Sequence, residues 1–405
     1  MQIKKIQKGA MVRMNDKVVT VGAKGYATTH IHPLLDDMYT GRYTYAGAVA
    51  IDIEECKFYD LMIERNIPTY KTLEEYFEAG NTADLVVIST PTHLHFPQTM
   101  VALKNGANVL CEKPVAPLYE DALMMQKTAD EKGKFVAIGY QWSYAHATRN
   151  LKKDILSGKF GKAKQLKSFV SWPRPWEYYE NTWKGKLRDK NGVWILDSIA
   201  NNAAAHYLHN MYFLLGDAMD ESAYPKSIRS ELLRANDIET FDTCLLDITT
   251  ENDVKIFYAV SHASGEKQLP PKFELKFENG VVRYNMGGEK DHIVAEFNDG
   301  TIKDYGNPAD DYDIRLWESI EAAKTGEKLV CTAKTAAAHT FTINQLHKKG
   351  EIITFPEELI VRDSEKKITS VKNLLKLLED AFERTQLLSD MGVEWAKCVE
   401  FDVER

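Results

Sequence analysis

The chain has 405 residues and a formal net charge of −8 at pH 7, with 44% hydrophobic and 27% charged residues. That length gives room for two or three domains with their own cores, and the composition is ordinary for a soluble globular protein. The acidic balance excludes a broad nucleic-acid surface, and no run approaches the roughly eighteen apolar residues of a membrane span. Neither nucleic acid nor membrane is therefore an expected partner.

The five cysteines (Cys56, Cys111, Cys244, Cys331 and Cys398) are scattered, with no Cys-x-x-Cys pair. This argues against a disulfide framework or a structural zinc, so no metal is expected. The opening stretch "MQIKKIQKGAMVRMND" has charge but no apolar segment of the secretory type, and a cytoplasmic setting is the expectation.

From Lys17 strand and helix patterns alternate. "KVVTVGA", "YAGAVAIDI", "ADLVVIST", "ANVLCEKP" and "KFVAIGYQ" read as short buried strands. Between them "EECKFYDLMIERN", "FPQTMVALKNG" and "LYEDALMMQKTADEKG" carry helical periodicity. This is the signature of βαβ units and a parallel sheet covered on both faces. After Gln141 the strands lengthen and alternate, as in "QLKSFVSW", "TCLLDITTENDVKIFYAVSH" and "KFELKFENGVVRYN". The punctuation at "END", "ENG" and "NDG" is that of hairpins, predicting an antiparallel sheet with "NNAAAHYLHNMYFLLG" packed on it as a helix. From Thr369 to Lys397 the pattern predicts an amphipathic helix, with Leu374, Leu375, Leu377 and Leu378 on its apolar side. The expected division is residues 1–140, α/β, and residues 141–405, α+β with an open, mainly antiparallel sheet.

The first loop, "VGAKGYATTH", is close to a dinucleotide fingerprint. Gly22 serves the tight turn and Ala27 the helix–strand packing, but Lys24 stands where close pyrophosphate approach wants glycine, with Gly25 next. A helix starting near Gly25 would turn backbone N–H groups toward a phosphate. An ordinary strand-to-helix turn is the competing reading. Asp52, thirty residues after Gly22, ends the second strand where a carboxylate accepts from ribose hydroxyls and repels a 2′-phosphate, favouring NAD over NADP. The alternative for Asp52 is a helix cap. The cofactor set from this region is Gly22, Lys24, Gly25, Tyr26, Ala27 and Asp52.

Thr90-Pro91 followed by His95, and Glu112-Lys113-Pro114 some twenty residues on, form a combined pattern. On these motifs the sequence resembles the Gfo/Idh/MocA family of NAD(P)-dependent sugar and polyol oxidoreductases, whose T-P-x-x-x-H and E-K-P they match. His30, eight residues after Gly22, also fits. The resemblance implies a Rossmann domain followed by an α+β domain, and it adds Thr90, Pro91, His95, Glu112 and Lys113 to the cofactor set. It implies a homo-dimer or homo-tetramer joined through the outer face of the second sheet. The family places D-x-x-x-H-x-x-D on a helix of the second domain. Here His206 keeps the histidine, whereas Asn202 and His209 replace the two aspartates and Ser143 replaces a common arginine. Asp197 lies nearby, off the matching register.

Oxidising a secondary alcohol needs a base for the hydroxyl proton and stabilisation of the developing alkoxide. Lys113, at the carboxyl end of a parallel strand, reaches the cofactor crevice and can polarise that oxygen. His206 can exchange the proton at neutral pH. Asn202, four residues before it and on the same helical face, can orient a hydroxyl or fix a tautomer. Lys113, His206 and Asn202 are thus the catalytic candidates.

Five of the seven tryptophans fall between Trp142 and Trp194. Flat aromatic faces pack on sugar rings, and Arg174, Glu177 and Asn181 can meet hydroxyls. The substrate candidates are Trp142, Trp172, Arg174, Trp176, Trp183, His206 and His209, with an aromatic core or subunit contact as the other reading. The expected function is an NAD-dependent dehydrogenase of a sugar, polyol or glycoside. Two alternatives are a redox-neutral lyase or glycosidase using transient oxidation, and a non-catalytic sensor of NAD and sugar.

Overall fold

The computed structural model of the chain describes residues 16–36, 41–180, 182–286 and 290–405. The opening segment read for a secretory signal is outside these residues except for Asp16.

The first sheet consists of β1 (Asp16–Val21), β2 (Tyr43–Val49), β3 (Thr69–Tyr70), β4 (Leu85–Ile88), β5 (Asn108–Cys111) and β6 (Val136–Ile138), in the order β3-β2-β1-β4-β5-β6. All its pairings are parallel. Every residue of β4 and β5 is buried, which is why "LVVI" and "NVLC" read as apolar runs without alternation. The connections carry α1 (Thr28–Leu34), α2 (Tyr59–Glu64), α3 (Leu73–Glu78), α4 (His95–Lys104) and α5 (Tyr119–Glu131). The order reverses between β1 and β4, and the crevice outside the carboxyl ends of the strands at such a point is where ligands bind.

Short helices α6 (Gln141–Tyr144) and α7 (His146–Leu156) lead into β7 (Ala163–Ser171). After α8 (Ala205–Leu214) follow β8 (Pro225–Arg234), β9 (Thr243–Thr250), β10 (Lys255–Ser261), β11 (Lys272–Phe277), β12 (Gly280–Tyr284), β13 (Ile293–Phe297) and β14 (Ile302–Gly306). Then come α9 (Ile314–Thr325), α10 (Ala333–Lys349) and β15 (Ile352–Thr354). These strands form one large sheet in the order β14-β13-β12-β11-β7-β10-β9-β8-β15. It is antiparallel except where β10 meets β7 and β15 meets β8. The three hairpins sit at the predicted turns. One face, with Leu166, Val170, Leu246, Ile256 and Tyr258, packs on α7, α8 and α10.

The chain does not stay on its own side of residue 140. Helix α9 returns to lie on β1, β4 and β5, and α10 touches α5, α8 and β6. Buried Ala333, Ala336, Ala337 and Ala338 let α10 wedge between the two cores.

The C-terminal segment differs from its predicted single helix. Residues 369–371 belong to β17 (Ile368–Val371), paired with β16 (Ile360–Asp363), and α11 spans only Leu374–Arg384 before Thr385 adopts a left-handed conformation. A final strand, β18 (Val399–Asp402), pairs with β8. Leu374, Leu378, Ala381, Phe382, Leu387 and Leu388 cover Phe169, Leu245, Phe257 and Ala259 on the outer face of the large sheet.

Candidate active site

Gly22 follows β1 with φ +112°, and a Cβ there would lie 2.7 Å from the Ser89 carbonyl oxygen. Only glycine makes this turn. Gly25 (φ +57°) opens a helical turn, Gly25–Ala27, that leads into α1, and nothing lies within 4 Å of where its Cβ would be. Lys24 between them is extended, and its ammonium pairs with Asp52 and, at 2.5 Å, with Glu55. The Asp52 hydrogen bond raises the Lys24 pKa and lowers that of Asp52. The cation that the loop substitutes for glycine is therefore held at the ribose end of the crevice.

These residues fit a dinucleotide. The bare backbone at Gly25 leaves room for close approach, and Asp52, three residues beyond β2, offers a carboxylate of the kind that suits a ribose hydroxyl. At the end of β4 the Ser89 hydroxyl and His93 Nδ1 are buried without a hydrogen-bond partner. Thr90 donates to Gln98 Oε1 (2.6 Å), and Pro91 starts the helical turn Thr92–Leu94.

Two residues expected to touch the cofactor lie behind the crevice instead. His95 is 1% exposed, with Nδ1 2.8 Å from the Pro114 carbonyl oxygen and Nε2 2.9 Å from that of Thr90. It ties the Thr90-Pro91 turn to the Lys113-Pro114 turn, so it positions both and contacts nothing in the crevice. Glu112 is 5% exposed and bonded to His30 Nε2 (2.8 Å) and Arg315 Nε (3.3 Å). Burial alone would raise the Glu112 carboxyl, but the Arg315 guanidinium and the His30 hydrogen bond hold it down to about 2. Arg315 also donates to the Tyr26 hydroxyl (3.1 Å), which donates to Gln141 Oε1 (2.9 Å). Glu112 thus anchors the glycine loop, through His30 and Arg315, to α9.

The catalytic candidates do converge. Lys113 Nζ donates to the Asn202 carbonyl oxygen (2.7 Å), with Asn202 Oδ1 at 3.4 Å. Asn202 Nδ2 donates to Asp197 Oδ1 (2.9 Å), and Asp197 Oδ2 accepts from the Gly185 N–H (2.6 Å). Asp197 is 4% exposed, and burial pushes its carboxyl up to about 6 against those hydrogen bonds and the Lys113 charge. Burial also lowers the Lys113 ammonium, while Glu112 and Asp197 oppose the shift. His206, in the first turn of α8, is held neutral by burial and by the Lys113 charge, with Nδ1 unpartnered. Because α8 begins at Ala205, Asn202 lies in the preceding turn and not on one helical face with His206.

The substrate candidates divide. Trp142 is 7% exposed and packed against Tyr207 and Tyr284. His209 is 1% exposed, stacked on Tyr140 and bonded to Ser143 Oγ (3.0 Å). Both are core residues, which corrects their assignment to the substrate. Trp172, Trp176 and Trp183 are half-buried. The Trp172 indole donates to the Leu269 carbonyl and that of Trp176 to Thr369 Oγ1, so both N–H groups are committed within the protein. Arg174 is half-buried and lies over the Tyr178 ring. Asn181 lies outside the described residues.

Asp197, Tyr178, Lys184 and Arg315 complete the surroundings of Lys113 and the glycine loop. Tyr178 and Lys184 sit within the same aromatic stretch as Trp172, Trp176 and Trp183. Nothing local marked Arg315, which lies 203 residues from Glu112.

Residues 17–140 match the family described as "Oxidoreductase family, NAD-binding Rossmann fold". Over 164 residues the chain is 30% identical to a 2,7-anhydro-N-acetylneuraminate hydratase of Mediterraneibacter gnavus, covering 40% of this chain and 39% of that one. Over 286 residues it is 22% identical to the Bacillus subtilis scyllo-inositol 2-dehydrogenase (NADP(+)) IolW, covering 68% and 72% of the two chains. The fold is that of the WlbA dehydrogenase from Chromobacterium violaceum, solved with NADH and UDP-GlcNAcA (TM-score 0.69, 21% identity, 85% of this chain and 96% of that one). Motifs, sheet order and family match agree: residues 17–140 form an NAD-binding Rossmann domain that matches the Gfo/Idh/MocA oxidoreductase family.

Proposed function

We propose that the protein is an NAD-dependent dehydrogenase acting on a secondary hydroxyl of a sugar, polyol or glycoside. The observation that carries this reading is the Lys113 ammonium at the carboxyl end of β5, held by Asn202 and facing a neutral His206. Bound NAD supplies the hydride acceptor for the alcohol carbon. Lys113 donates to the hydroxyl oxygen and stabilises the negative charge that develops there. His206 is uncharged near neutrality and takes the hydroxyl proton. Asn202 cannot accept a proton; it aims Lys113 and passes its hydrogen bond on to Asp197. The backbone at residues 22–27 and the Asp52 carboxylate hold the dinucleotide, with NAD preferred to NADP.

The test is a screen of sugars and glycosides with NAD⁺ and NADP⁺, read by absorbance of the reduced nicotinamide and by product analysis. Lys113→Met is expected to lower turnover by about a thousandfold while leaving NAD⁺ affinity near that of the wild type. Turnover that survives this change removes Lys113 from the mechanism.

The similarity to a hydratase favours a second reading, in which oxidation is transient and the cofactor returns unchanged. Product formation without accumulated reduced nicotinamide would select it. A cytoplasmic setting and self-association into a dimer or tetramer complete the proposal.

A further inference from the structure

Around Tyr178 the site carries more positive than negative charge. Lys184 Nζ lies 4.0 Å from the Tyr178 ring centroid and Arg174 Cζ 5.2 Å from it. The Tyr178 hydroxyl is 3.5 Å from Asn202 Nδ2, the amide of the residue that holds Lys113. Three cations therefore gather about one carboxylate, Asp197, whose two oxygens are already committed to Gly185 and Asn202. Among the described residues no carboxylate forms an ion pair with Lys113, Arg174 or Lys184. Glu112 is enclosed by His30 and Arg315, and Asp242, on the far side of Tyr179, is taken by Asn236 and the Ala235 N–H. Arg174 Nε is buried with no partner, and so is Nε2 of His262, whose carbonyl accepts from the Arg174 N–H. An unpaired donor on a half-buried cation is costly to maintain without a ligand.

We propose that Arg174 and Lys184 form a subsite for an oxyanion carried by the substrate, which makes the substrate an acidic sugar. A guanidinium fork beside an ammonium suits a carboxylate or a phosphate on a sugar ring. The aromatic rings under both cations keep them in place and limit water. The subsite adjoins Lys113, so an anion bound there sets which hydroxyl meets the base. This inference rests on the dehydrogenase reading only for the placement of the sugar beside Lys113.

The test is calorimetric titration of the NAD⁺-saturated protein with matched probes: D-glucuronate and D-glucose 6-phosphate against D-glucose, and D-galacturonate against D-galactose. At least one anion is expected to bind about tenfold or more tightly than its neutral partner, and Arg174→Met or Lys184→Met to cut that preference about tenfold. The uronate and phosphate arms identify the source of the anion. Unchanged NAD⁺ affinity shows that a variant is folded, and loss of the preference in either folded variant supports the subsite. No anion preference in any pair, or a preference that survives both substitutions, overturns the subsite. Titration needs no turnover, so failure of NAD⁺ reduction would count against the dehydrogenase reading and leave this result standing.

Discussion

At position 24 a lysine replaces the glycine that lets a backbone approach a pyrophosphate, and its ammonium rests between Asp52 and Glu55. Asp52 is therefore partly neutralised where a free carboxylate would repel a 2′-phosphate. Lys24→Gly is expected to sharpen the preference for NAD⁺ over NADP⁺ by about tenfold, measured as a ratio of dissociation constants. An unchanged ratio would make Lys24 a bystander. Asp197 gives a pH prediction. Its folded pKa of about 6 lies above the ordinary aspartate value of 3.8, so between these the folded state holds the extra proton. Its contribution to stability is fully present below the lower value and lost as pH rises through about 6, with a slope of at most about 1.4 kcal/mol per pH unit. Protonation of Asp197 weakens the hydrogen bond it accepts from Asn202, the residue that aims Lys113, so turnover is expected to fall as pH drops below about 6. Asp197→Asn should flatten both profiles, and retention of the acidic limb in that variant would refute the assignment.

Among the elements, those whose partners are near in sequence were legible. β4 and β5 announce themselves as apolar runs, and the β9–β10, β11–β12 and β13–β14 hairpins by their turn residues. The Lys113 and His206 positions were legible because each sits in a short motif at an element end. Glu112 and His95 sit in the same motifs but point away from the crevice. Sequence spacing reports adjacency and says nothing of which way a side chain faces at a turn. Asn202 was placed on a helix for a similar reason: periodicity ran back through its alanines, while the backbone begins α8 at Ala205. The C-terminal segment is not legible locally because its register depends on distant charges. Buried Glu231 on β8 accepts from the Leu388 (3.0 Å) and Ser389 (2.8 Å) N–H groups, and Lys167 on β7 donates to the Phe382 carbonyl (3.0 Å) near the end of α11. Glu231→Ala would strand the buried Leu388 N–H and the half-buried Ser389 N–H. It is expected to lower unfolding free energy by about 2–4 kcal/mol in urea titrations and to open residues 385–398 to protease. A stable, protease-resistant variant would show that packing alone holds the segment.

For the whole molecule, the outer face of the large sheet has two parts. Over β7–β10 it is covered by α11 and the residues after it. Over β11–β13 it is charged, with Glu274 among Lys167, Lys276 and Arg283, and Glu296 beside Arg283. Self-association through that face would have to use the charged part, so it is expected to weaken in high salt. Sedimentation at micromolar concentration in low and high salt checks this, and only monomer in both would contradict it. The two domains are locked by segments distant in sequence: α9 on the first sheet, α10 between the cores, and Arg315 reaching Glu112 beside Lys113. In the proposed function this assembly removes hydrogen from an alcohol carbon with Lys113 at the reacting oxygen. The most direct measurement incubates the protein and NAD⁺ with sugars deuterated at their carbinol carbons and follows deuterium into the nicotinamide ring by mass spectrometry. Label is expected in the cofactor with the wild type and nearly none with Lys113→Met at equal NAD⁺ occupancy. Label that never enters the nicotinamide, or that enters equally fast without Lys113, would contradict it.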